Sequence, residues 1–186
     1  MKNIVIISAS VREGRKSNRV ALYFKNLLTN NKEFTCEIAD LMEYNFPVFN
    51  ERLKFQKQPS EKTILFADKI RSAAGVIIVT PEYNGGYPAS LKNVIDLLHE
   101  EWKRKPVALV SVSAGPFGGS QVVTSLLFTL WKIGAWMVPA MFPVPKVEEA
   151  FDENGKAFDE AATSKRATNF VNELLLMIQA QEHSKK

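Results

Sequence analysis

The sequence is poor in the residues that build disulfides and metal centres. It has a single cysteine, Cys36, and two histidines, His99 and His183. That excludes an intrachain disulfide, leaves little for a metal, and fits a reducing cytoplasmic setting. Charge of one sign is also lacking, since 24 Lys and Arg stand among 20 Asp and Glu for a net charge of +4. No half of the chain is strongly one-signed, so a nucleic-acid partner is not expected, and a local anion site suits the modest excess better. Long apolar runs are scarce. The run Ile4 to Ile7 is too short for a signal-peptide core. Residues 122–142 are about long enough to span a bilayer, but Lys132, Gly134 and Pro139 predict a buried helix, a turn and a strand there instead. A membrane is not an expected partner. Neither GxGxxG nor GxxxxGK[ST] occurs, which excludes the dinucleotide loop and the P-loop.

What is present is a chain of 186 residues, 46% of them hydrophobic. That is enough for one domain over residues 1–186, with a core reaching about 180 and a polar, lysine-ended tail. Short apolar runs alternate with helix-period segments, the pattern of βα units around a parallel sheet. Five strands are expected, at Asn3 to Ala9, Phe34 to Asp40, Gly75 to Pro81, Pro106 to Val112 and Trp136 to Phe142. Most are rich in Val, Ile and Phe without polar alternation, as strands covered on both faces should be. Helical stripes follow at Val20, Phe24, Leu27 and Leu28, at Leu91, Val94, Ile95, Leu98 and Trp102, and from Ala167 to Ile178. The segment Val122 to Ile133 has almost no polar face, so both its sides should be covered. A second copy of the chain is the simplest cover, in a homodimer or tetramer. Residues 41–60 show no helical period. Their Tyr44, Phe46, Phe49 and Phe55 either anchor a long loop or serve a pocket or dimer contact.

In an open parallel sheet, ligands bind beyond the carboxyl ends of the strands. Three loops there are unusual. The first, SASVREGRKSN from Ser8 to Asn18, brings Arg12, Arg15 and Lys16 to the opening of a helix, where Arg19 follows. The helix dipole disfavours cations at that end, so their presence points to a bound anion, with hydroxyls at Ser10 and Ser17 and backbone N–H groups as further donors. Ser17 serves equally as an ordinary N-cap. A mononucleotide phosphate fits. The second loop, TPEYNGGYPASLKN from Thr80 to Asn93, exposes backbone groups between Glu82 and Gly86 suited to a heteroaromatic edge. Tyr83 and Tyr87 either flank a ring or fill the loop's base, Ser90 is expected to bond locally, and Lys92 is expected to pair with Asp96. The third, SAGPFGGSQ from Ser113 to Gln121, has Gly115, Gly118 and Gly119 for close approach by a flat ligand, and Phe117 to cover it. No residue set shows a nucleophile with its base, which suits chemistry carried by a cofactor.

The run S-x-R-x-x-R at Ser10 to Arg15, P-E-Y-N-G at Pro81 to Gly85 and P-x-x-L-K-N at Pro88 to Asn93 resembles the NAD(P)H-dependent FMN reductase family. The resemblance runs from Lys2 to about Pro143, and Gly86 and Tyr87 depart from the family's usual residues. It implies a flavodoxin-like three-layer α/β sandwich with a five-stranded parallel sheet in the order 2-1-3-4-5 and helices on both faces. It also implies that Ser10, Arg12, Arg15, Ser17 and Asn18 hold an FMN phosphate. Pro81, Glu82, Tyr83, Asn84 and Gly85 would border the isoalloxazine and ribityl chain, with Ser113, Ala114, Gly115 and Gly118 near the ring's other side. The implied activity is oxidoreduction with FMN bound and NADPH or NADH as donor, passing electrons to a quinone, azo, nitroaromatic or flavin acceptor. The alternatives are a flavodoxin-like electron carrier and a non-enzymatic FMN-binding protein.

Overall fold

The structure, a computed structural model, describes residues 1–184. Its elements run β1 (Lys2–Ser8), α1 (Ser17–Thr29), β2 (Phe34–Asp40), α2 (Leu41–Tyr44), α3 (Glu61–Ser72), β3 (Gly75–Pro81), α4 (Ala89–Leu97), β4 (Pro106–Val112), α5 (Ser120–Lys132), β5 (Trp136–Val144), α6 (Val147–Ala150) and α7 (Glu160–His183). Single 3-10 turns at Leu53–Phe55 and Glu100–Trp102 complete them. All five strands pair in parallel in the order β2-β1-β3-β4-β5. This is the flavodoxin-like arrangement.

Alternation along each strand divides the core in two. Ile4, Ile6, Ile77 and Val79 face α1 and α7, where Val20, Phe24, Phe170 and Leu174 meet them. Val5, Ile7, Val76 and Ile78 face α3, α4 and α5 through Phe66, Ile70, Leu91, Val94 and Leu126. Helices on both faces leave β1, β3 and β4 no polar alternation, which explains their apolar runs. Local chemistry sets several helix starts. Ser60 accepts the N–H of Thr63 at the head of α3, and Asp159 accepts that of Ala162 at the head of α7.

Differences from expectation lie at element ends. β1 spans Lys2–Ser8, one residue earlier, and β5 runs on to Val144. Between Val107 and Leu109 of β4 the β5 register shifts, because Val107 pairs with Met137 and Leu109 with Met141. Pro139 lies within that bulge on the edge strand, where its missing N–H breaks no ladder bond. The stripe that predicts a helix through Trp102 is split, since α4 ends at Leu97, Leu98 is extended, and the 3-10 turn returns Trp102 to full burial. Residues 41–60 contain α2 and a 3-10 turn, with Tyr44 stacked on Phe46 at 5.1 Å and both rings edge-on to Phe66. These two aromatics are anchors, whereas Phe55 is exposed. The C-terminal tail is helical through His183, with Gln181 buried. Its final lysines, Lys185 and Lys186, lie outside the described residues.

On α5, Val122, Leu126 and Leu130 are buried, but Phe128 and Trp131 are each 65% exposed, their rings 5.9 Å apart. The outer side of this helix is therefore uncovered within one chain. Among the described residues no helix is long and apolar enough to cross a membrane.

Candidate flavin site

The chain leaves β1 for β2 on one side of the sheet and then crosses to β3 on the other. Strand order thus reverses between β1 and β3, where loops diverge and a crevice opens. A cleft of about 400 Å³ lies at this end, within the range of small-ligand sites. From the first loop, Ser10, Arg12, Arg15 and Ser17 line it. The second supplies Pro81, Glu82 and Tyr83, and the third Ser113, Ala114 and Gly115. The loops read from the sequence thus converge. Asn18, Asn84, Gly85 and Gly118 do not line the cleft. Asn18 accepts the Ser8 hydroxyl at 3.2 Å, and Gly118 gives its carbonyl to the Ser111 hydroxyl at 2.6 Å. Asn84 and Gly85 form the tip of a tight turn closed by two bonds between Tyr83 and Gly86, with φ of 53° and 77°, which explains the Asn-Gly pair.

Each loop is fastened to its neighbours. The Ser10 hydroxyl and Tyr83 phenol share a hydrogen bond of 2.7 Å, joining the first loop to the second. Ser90 donates to the Ala9 carbonyl at 2.6 Å, a partner 81 residues away rather than the local bond its position suggests. Glu82 accepts the N–H groups of Gln121 and Val122 at 2.9 and 3.1 Å, so a second-loop carboxylate caps α5. Tyr87 bonds Thr129 at 2.8 Å. At the head of α5, Gly119 has φ 74°, and a Cβ there would lie 3.2 Å from that of Ser111 and 3.4 Å from the Val112 nitrogen. Only glycine fits this turn without strain.

The opening of α1 is unusual. Its N-cap is Lys16, with no side-chain cap and no acidic residue in the first turn. Ser17 is the first helical residue rather than the cap; it is 3% exposed, and its Oγ has no hydrogen-bond partner. A buried hydroxyl without a partner is costly. Here it lines the cleft, at a helix end whose dipole favours an anion. Of the four nearby cations, Arg15 makes a two-pronged pair with Asp40, Lys16 pairs with Glu148 at 2.9 Å, and Arg19 bonds the Phe151 carbonyl at 2.8 Å and approaches Glu153 at 3.5 Å. The Lys16 hydrogen bond holds the Glu148 carboxyl below its ordinary value. Arg12 is exposed at the cleft with no ion-pair partner among the described residues.

Tyr83 and the third loop line the cleft together with Phe117, which is 80% exposed. Hydroxyl, guanidinium and helix N-terminus at one end with aromatics and glycine backbone at the other fit the phosphate and ring of FMN. Val147 of α6 and Asp40 behind Arg15 are the residues that sequence reading missed. Val147 sits in a four-residue helix without a motif, and Asp40 ends a strand, FTCEIAD, that already carries Thr35 and Glu37, so no local pattern singles it out. Neither histidine lines the cleft, and burial pushes the Cys36 thiol up to about 12, unsuited to a nucleophile.

Comparison with known proteins agrees with this geometry. Residues 2–149 match the NADPH-dependent FMN reductase family. A quinone reductase of Pseudomonas putida is 30% identical over 85% of this chain and 86% of its own length. An NAD(P)H-dependent FMN reductase of Schizosaccharomyces pombe is 34% identical over 66% of this chain, a match that spans 62% of that protein. In fold, the chain superposes with a TM-score of 0.79 on the flavoenzyme NAD(P)H:(acceptor) oxidoreductase FerB of Paracoccus denitrificans, at 24% identity over 97% of this chain and 99% of the other. With its sheet order, its three loops and this match over most of its length, the chain belongs to the NADPH-dependent FMN reductase family.

Proposed function

We propose that the protein binds FMN in this cleft and oxidises NADPH or NADH, delivering the electrons to a small-molecule acceptor. The observation that carries the reading is the unpartnered, buried Ser17 hydroxyl at the uncapped head of α1, beside Arg12. Those groups would hold the phosphate, with Ser10 fixing the loop that presents them. Glu82, Tyr83 and the 113–115 backbone would border the ring and keep water from its covered side. When bound, FMN supplies a two-electron relay between donor and acceptor, and the protein's share is to position and tune it. Relatives named as quinone reductase and NADPH azoreductase favour quinone or azo acceptors. The reaction would take place in the cytoplasm.

The apolar outer face of α5, with Phe128 and Trp131, is the surface that a second copy would cover, giving a homodimer. The site is tested by titrating flavin-free protein into FMN and following flavin fluorescence. Saturable quenching at one FMN per chain is the expected result, and unchanged fluorescence would remove the flavin reading.

A further inference from the structure

We infer that Asp40 is a positioning residue for the phosphate site: it commits Arg15 to holding the loop in shape and leaves Arg12 as the cation that meets the phosphate. This rests on the FMN reading above. Asp40 ends β2, beside Ser8 of β1 in the sheet, and is 7% exposed. Both of its carboxylate oxygens accept from the Arg15 guanidinium, and Oδ1 also accepts the Met42 N–H at 3.0 Å, opening α2. The side chains of the pair are 14% and 9% exposed. Two forked hydrogen bonds that are largely out of water fix the planar guanidinium in a single orientation.

The remaining reach of that guanidinium goes to the loop. Its Nη1 donates to the Ser10 carbonyl at 2.7 Å. Ser10 is fully buried, and its hydroxyl takes the Arg12 N–H at 3.3 Å while bonding Tyr83 at 2.7 Å. A continuous path therefore runs from Asp40 through Arg15 to Ser10, and from there to the backbone of Arg12 and to the ring loop. A guanidinium neutralised by a buried carboxylate has little charge left for a ligand. Lys16 and Arg19 are likewise engaged, by Glu148 and by Phe151 and Glu153. Arg12 remains. The division predicts that Asp40, though remote from the ring, sets how well the site discriminates FMN from riboflavin, which has the ring but no phosphate.

Binding of FMN and of riboflavin to the full chain, followed by fluorescence, tests this. Asp40→Asn should weaken FMN about tenfold, the scale of one charged hydrogen bond, and leave riboflavin within about twofold. Arg12→Ala should do the same, since it removes the phosphate's own partner. FMN binding that is unchanged or tighter in Asp40→Asn overturns the inference, because Asp40 would then be idle or would restrain Arg15 from the phosphate. Equal loss for both flavins also overturns it, by showing a general structural role. Should Asp40→Asn fail to fold, Asp40→Glu keeps the charge, displaces it by one methylene and must show the same selective loss. Wild-type protein that binds neither flavin would refute the FMN reading itself, and this inference with it.

Discussion

A buried hydroxyl with no partner is destabilising in the free protein and useful once a ligand arrives, and Ser17 is in that position. Ser17→Ala should therefore have effects of opposite sign. Flavin-free protein should be unchanged or more stable by up to about 1 kcal/mol in urea denaturation, while FMN binding weakens by about 1 kcal/mol. Loss of both together would show that the hydroxyl is structural. The same residue shows where reading from sequence stops. From the sequence Ser17 reads either as a donor to an anion or as an ordinary cap, and the structure gives the cap position to Lys16, which carries no capping side chain. One residue of offset turns a satisfied hydroxyl into an open one. Ser90 makes the same point over distance, since no sequence pattern announces a bond to Ala9 across 81 residues. By contrast, the Lys92–Asp96 pair at 2.5 Å follows from helical spacing alone.

Among the elements, α5 joins the site to the outer surface. Glu82 caps its first turn, Tyr87 bonds Thr129 in its last, and Phe128 and Trp131 project from its far side. A charge at buried Leu130 would damage the core first, so the exposed pair is the proper probe of association. Phe128→Glu or Trp131→Glu should leave the fold intact and shift sedimentation from dimer to monomer at micromolar protein. Wild-type protein that sediments as a monomer would contradict a dimer on this face. The all-round apolar pattern of residues 122–133 was visible in the sequence, but within one chain only the side with Val122, Leu126 and Leu130 is buried. The end of α4 was not visible there, because a 3-10 turn buries Trp102 as well as a continued helix would.

At the scale of the whole molecule, the parallel sheet was legible from runs such as Ile4 to Ile7 and Val76 to Val79, which only strands covered on both faces sustain. Sheet order was not, since it depends on crossovers that leave no local pattern, and it came from the family resemblance. The convergence of three loops followed from the fold. The pairing within them did not, as Arg15 meets Asp40 only through the β1 and β2 register. The net charge of +4 is thus a balance in which most cations beside the cleft are already paired, leaving Arg12. On the proposed reading, FMN held in this cleft accepts electrons from a reduced nicotinamide. The most direct measurement is the visible spectrum of FMN-loaded protein under argon as NADPH, and then NADH, is added. The expected result is loss of the flavin absorption band with at least one of them and its return on addition of a quinone. A band that neither nicotinamide bleaches would contradict the enzyme reading and leave a flavin carrier.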